Sequence, residues 1–208
     1  MTISATTQGL RMGVATSSSR PAVPFDGQVI SETDTDSLKV YNGTSWIAVS
    51  GLTLVKSQTI GTTVSSVAVT GVFSATYDTY KIVVNGGVGS TNQDLVLKLG
   101  STTTGYYSST AFITYAGSSS NGANSNGANF PLATHNTNTL FVNTDILNPF
   151  NTSPTLINGT AIDPTTTGRA GSIAGYLANN TSYTDFTLTP NGGTISGGTI
   201  YVYGYAKA

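Results

Sequence analysis

Asn42-Gly43 constrains this chain more than any other pair of residues. Both types tolerate the positive φ that a type I′ turn requires at its two central positions. The flanks Lys39-Val40-Tyr41 and Ser45-Trp46-Ile47 have strand character, so the stretch predicts a tight antiparallel hairpin. Upstream, Gln28 to Thr33 is rich enough in β-branched residues for another strand, although its apolar residues fall on both faces. Thr33-Asp34-Thr35-Asp36 then turns the chain, because an Asp carboxylate hydrogen-bonds backbone two residues on. The prediction is a three-stranded β-meander. Arg20 to Gly27 carries two prolines that fix φ and withhold donors, so it should run extended into the sheet.

A cysteine-free unit of this size buries too little surface to be secure alone. Residues 1–51 therefore read as an attachment module that leans on a neighbour. Phe25, Tyr41 and Trp46 are its expected anchors, each contributing about 1.5–3 kcal/mol on burial. Residues 1–19 are polar and aperiodic, which fits a flexible tail or an extended arm held on a neighbouring subunit; the arm is the favoured reading.

The run from Arg20 to Trp46 resembles a segment of structural proteins of tailed bacteriophages, especially phages of cyanobacteria and other aquatic bacteria. There it often follows the start of a virion surface or tail-fibre protein. The resemblance rests on Arg20-Pro21, Pro24-Phe25, Gly27-Gln28, Glu32-Thr33-Asp34-Thr35, Tyr41-Asn42-Gly43-Thr44 and Trp46, with Gln8 to Val14 similar too. It covers about the first quarter of the chain. It implies virion attachment through Arg20, Pro21, Pro24, Phe25, Tyr41 and Trp46, and assembly as a homotrimer.

Residues 52–208 differ chemically. Gly, Ser, Thr and Asn make up about half of the whole chain, and Glu32 is its sole glutamate. Such a composition disfavours surface helices, whereas Thr and Val suit pleated sheets. Apolar clusters separated by Gly, Asn, Pro and Ser predict strands over 52–60, 64–70, 79–85, 94–99, 111–115, 139–143, 155–162, 172–177, 183–189 and 199–205. The fold class is all-β, with a jelly-roll-like antiparallel β-sandwich following the arm and meander. Residues 168–180 fit a strand or a short helix. In the last strand Ile200 and Val202 share the face expected in the core, leaving Tyr201, Tyr203 and Tyr205 as a row on the other.

That row suits packing against a sister subunit or stacking under a sugar ring. Tyr106 and Tyr107 carry the same two readings. Ser118 to Asn129 contains Asn-Gly-Ala-Asn twice and no side chain able to anchor a core, so it is expected to be a long exposed loop. Its Asn121, Asn124, Asn126 and Asn129 are candidate receptor or glycan contacts.

Chemistry is scarce. His135 is the lone histidine, which excludes a relay or metal cluster built on two histidines, and it reads as an exposed loop residue. Asp34 and Asp36 lack the further ligands of a calcium loop. The five aspartates beyond residue 52 carry no glycosidase motif. No enzyme, cofactor or metal is expected. A net charge of −1 with scattered charges gives no footprint for nucleic acid or an anionic membrane. The start lacks the basic and apolar regions of a signal peptide, and no apolar run reaches about twenty residues.

These features together predict a non-enzymatic virion structural protein, made in the host cytoplasm and carried on the outer surface of the particle. A capsid decoration (cement) protein or short head fibre bound to the major capsid protein is the favoured form, because the sequence offers no heptad or collagen shaft. The alternatives are a short tail-fibre or receptor-binding tip, with tail proteins as partners, and a carbohydrate-binding β-sandwich module for a host-surface glycan.

Overall fold

The computed structural model describes residues 12–49, 51–163 and 165–206. The chain is all-β, with no helix among these residues, and it divides into two compact units that part between Leu52 and Thr53.

The first unit is a four-stranded mixed sheet in the order β1-β2-β3-β4, formed by β1 (Gly13–Ala15), β2 (Val29–Glu32), β3 (Ser37–Tyr41) and β4 (Trp46–Ala48). The last three strands make an antiparallel meander, but β1 adds itself in parallel to β2. Gly13–Ala15 is therefore part of the sheet and not of an extended arm; the expected arm over 1–11 lies outside the described residues. The Asn42-Gly43 prediction also needs correcting. Asn42 is not left-handed, and its side-chain Oδ1 accepts from the backbone of Thr44 and Ser45 while only Gly43 has positive φ. An Asx turn over 42–45 thus replaces the tighter hairpin turn. Asp34 likewise accepts from Ser17 N and Oγ instead of only serving its own turn, and tethers the segment after β1.

The second unit comprises β5 (Leu52–Thr59), β6 (Val67–Val69), β7 (Thr79–Asn85), β8 (Val88–Gly89), β9 (Gln93–Leu99), β10 (Tyr106–Thr114), β11 (Ser119–Gly127), β12 (Phe130–His135), β13 (Val142–Leu147), β14 (Thr155–Ile162), β15 (Arg169–Leu177), β16 (Phe186–Pro190), β17 (Ile195–Ser196) and β18 (Thr199–Tyr205). Eight of these form one sheet in the order β11-β10-β15-β14-β13-β7-β18-β5, and four form a second in the order β12-β9-β16-β6. A two-stranded pair, β17-β8, completes the unit. Alternation drives the packing. Tyr80, Ile82 and Val84 of β7, Val142 and Ile146 of β13, and Ile200 and Val202 of β18 bury one face of the large sheet. Leu95, Leu97 and Leu99 of β9, with Phe186 and Leu188 of β16, bury one face of the small sheet in the same core cluster.

Two segments contradict the sequence reading. Ser119–Gly127 is not a loop but β11, hydrogen-bonded along β10 as the edge strand of the large sheet. Its residues have poor β-propensity, and cross-strand pairing overrides that preference. Residues 169–177 are strand β15, which resolves the strand-or-helix ambiguity.

His135 is also placed differently from its predicted loop. It ends β12 and is fully buried. The register of β12 on β9 shifts between Pro131 and Ala133, so Leu132 is an extra residue. Beyond that bulge the inward positions change parity, which turns His135 into the interior opposite Gln93. A Cβ at Gly89 would lie 2.0 Å from Nδ1 of the ring, so only glycine fits there. Neither ring nitrogen has a partner in good hydrogen-bond geometry, and burial lowers the pKa, opposed by the nearby Thr91 backbone and by Asp94. A histidine with a lowered folded pKa resists protonation when folded and accepts it when unfolded near pH 6.5. The second unit is thus expected to lose stability as pH falls below about 6.5, and to stop losing it below the folded pKa. Melting of His135→Leu between pH 8 and 5 checks this: the variant should have the shallower slope.

Candidate functional site

The first candidate is the N-terminal sheet, which has two dissimilar faces. On one, Ile30 and Glu32 are buried. The Glu32 carboxylate accepts from Arg20 Nε at 2.6 Å and from the Thr35 hydroxyl at 2.7 Å, and lies 3.8 Å from Lys39 Nζ. The hydrogen bond from Arg20 holds this carboxyl below the usual glutamate range and correspondingly raises the guanidinium. Tyr41 and Trp46 sit side by side on the same face with ring centroids 5.5 Å apart. Arg20, Tyr41 and Trp46 therefore organise the sheet from within.

The opposite face is apolar and open. Cross-strand register places Val14, Ser31 and Leu38 in one row and Val29, Val40 and Ile47 in the next. Val49 extends the first row through its backbone bond to Leu38. Val14, Leu38 and Val49 remain 55%, 41% and 61% exposed. This explains why apolar residues of β2 fall on both sides: Ile30 serves the closed face and Val29 the open one. Before β2, Val23 and Phe25 project into solvent while Pro21 and Pro24 are half-buried. Phe25 is thus an exposed group.

The second candidate is a cleft of about 300 Å³ in the larger unit. The large sheet carries β10 and β11 to its edge, and β12 is the edge of the small sheet. Ser108, Thr110 and Phe112 of β10 with Gly122 and Asn124 of β11 form one wall; Asp94 and Val96 of β9 with Pro131, Ala133 and Thr134 of β12 form the other. Arg169, Ile173, Asn129 and Asn191 complete it. The structure thereby brings together Asn121, Asn124 and Asn129, the first at the exposed rim and the second donating from Nδ2 to Asn129 O. Asn126 does not join them. It holds a left-handed turn, with φ of 56° and its Oδ1 accepting from Gly105 N.

Sequence reading missed Asp94, Arg169 and Asn191, which come from three distant segments. Arg169 lies 4.6 Å above the Phe112 ring, donates from Nη1 to Ser120 Oγ at 3.1 Å, and places Nη2 3.9 Å from Asp94. No local motif could have revealed that convergence.

The tyrosine row lies on the face of the large sheet opposite the core. Tyr201 and Tyr203 stack with centroids 6.3 Å apart, and Tyr205 donates to Asp145 Oδ1 at 2.8 Å. Burial and that carboxylate push the Tyr205 phenol up to about 12. Lys81 also reaches Asp145, at 3.4 Å. Tyr107 stacks on Tyr176 further along this face, whereas Tyr106 is core: it donates to Thr102 O, and its hydroxyl accepts from Leu99 N.

Among the described residues no group of three or more His, Asp and Glu side chains is placed to hold a metal ion, and no helix is long and apolar enough to cross a membrane. Compared with known proteins, the chain matches no family model, no curated protein and no solved structure.

Proposed function

We propose that this chain is a non-enzymatic structural protein of a tailed-phage virion, attached to the particle through its N-terminal sheet. The observation that carries the reading is the open apolar face of that sheet. A small sheet with one side closed around an ion pair and the other presenting Val14, Leu38 and Val49 leaves hydrophobic surface for a partner to cover. The resemblance of Arg20 to Trp46 to phage structural segments names the partner class, a capsid or tail protein. In this reading the larger unit is a jelly-roll-like antiparallel sandwich that projects from or seals the particle surface, and three copies assemble together. A decoration protein or short head fibre is the favoured form, because the sequence carries no heptad or collagen repeat from which a shaft is built.

Leu38→Asp/Val49→Asp tests attachment, since both residues are exposed and the closed face is untouched. Shells mixed with the native chain should carry it down on sedimentation and resist heat better, as a ligand of the assembled state alone must stabilise it. The double variant should stay in the supernatant with its Trp46 fluorescence unchanged. Equal sedimentation of both proteins would remove the apolar face from the account. Light scattering tests the assembly: a trimer has about three times the 21.3 kDa chain mass, and a monomer at all concentrations would refute it.

A further inference from the structure

We infer that the cleft between β10–β11 and β9–β12 is a binding site for a neutral saccharide, a mono- or disaccharide unit of a glycan. This stands apart from the virion reading, and either can fail alone.

Charge decides the ligand's class first. The charged side chains lining the cleft are Asp94 and Arg169. They lie 3.9 Å apart and neutralise each other, and the guanidinium is further engaged by Ser120 and the Phe112 ring. The one cation lining the cleft already has a carboxylate beside it, so an anionic ligand would have to compete with Asp94 for Arg169. A neutral ligand meets no such penalty.

Polar complementarity decides it next. The side-chain amides of Asn129 and Asn191 have no hydrogen-bond partner among the described residues, and Asn124 keeps its Oδ1 available after donating from Nδ2. An amide offers donors and an acceptor together, as a hydroxyl does, so adjacent hydroxyls of a sugar can be satisfied from both directions. Beneath these groups Val96, Ala133 and Ile173 are almost wholly buried and provide an apolar floor for the C–H face of a ring. At about 300 Å³ the cleft is at the small end of ligand sites, which suits one or two sugar rings better than an extended peptide.

The test is titration of the full chain, followed by amide NMR, with glucose, galactose, mannose, N-acetylglucosamine and their disaccharides, alongside glucuronate and glucose 6-phosphate. At least one neutral sugar should bind saturably, shifting amides of Asn124, Asn129, Asn191 and Val96. Asn191 is exposed, so Asn191→Ala should weaken binding about tenfold, the loss of one or two hydrogen bonds, without altering the melting temperature. Thr110→Phe should fill the cleft and abolish binding; folding of that variant is checked by the unchanged shifts of β13 and β7 far across the sheet. No saturable binding of any neutral sugar in the panel overturns the inference. Tighter binding of the two anions overturns it as well, as do shifts confined to the Tyr201–Tyr205 face.

Discussion

Arg20→Ala is expected to unfold the N-terminal sheet while the larger unit keeps its structure. The substitution strands the Glu32 carboxylate, whose side chain is fully buried, with Lys39 at 3.8 Å as its remaining charged partner. Breaking a buried pair in this way costs roughly 3–5 kcal/mol, and the lower end applies because the Arg20 side chain is 32% exposed. A small sheet with a single closed face has little reserve against such a loss. Trp46 is the sole tryptophan and lies in this sheet, so its emission reports on the first unit alone. Emission should shift to the red, and amides of Val29–Glu32 and Ser37–Tyr41 should lose protection from exchange. Glu32→Gln should do less harm, because it leaves a cation that can reach water in place of a trapped anion. An Arg20→Ala protein with native emission and exchange would show that the pair contributes little.

The same pair sets a pH limit on the sheet. Glu32 has a lowered folded pKa, so its contribution is complete above the unfolded value of about 4.5 and is lost as pH falls through the folded one. Acid should therefore redden Trp46 emission only below about pH 4.5, whereas His135 begins to erode the larger unit from about pH 6.5.

Phe130→Ala should produce the largest loss in the larger unit. The ring is fully buried and meets Tyr106 edge to face, with centroids 4.8 Å apart and planes at 83°. Removing a buried aromatic costs about 3–5 kcal/mol through lost transfer energy and the cavity left behind. For a unit of this size that lowers the melting temperature by roughly 10 °C. Ile113→Ala is the matched control: it lies on the outer face of β10, 61% exposed, and should change stability by no more than about 0.5 kcal/mol. Calorimetry of the two variants checks the contrast. Comparable losses would mean that the outer face is packed as tightly as the core.

The parts of this fold that could be read directly are those where local preference and tertiary demand agree. Thr79–Asn85 sets Tyr80, Ile82 and Val84 on one face and Thr199–Tyr205 sets Ile200 and Val202 on one face, and these two stretches and Thr155–Ile162 each form a strand with those bounds. Where the two disagree, the sequence misleads. Ser119–Gly127 has no local reason to be extended and becomes so only because β10 offers a ladder. Phe130–His135 hides its alternation behind the Leu132 bulge, and His135 is consequently buried against expectation. The apolar face of the N-terminal sheet was obscured for a related reason: β2 buries residues on one side and exposes them on the other, so neither period stands out. The cleft was legible only as a cluster of asparagines. Its charged pair joins β9 to β15, 75 positions apart, and only the strand order brings them together.

Cryo-electron reconstruction of the tailed-phage particles on which this chain is proposed to sit would show whether it is there and which surface holds it. Density for residues 12–49 is expected on the capsid, with the Val14, Leu38 and Val49 face seated against a neighbouring virion protein. Particles lacking the chain, or carrying it with that face in solvent and the larger unit making the attachment, would contradict that expectation.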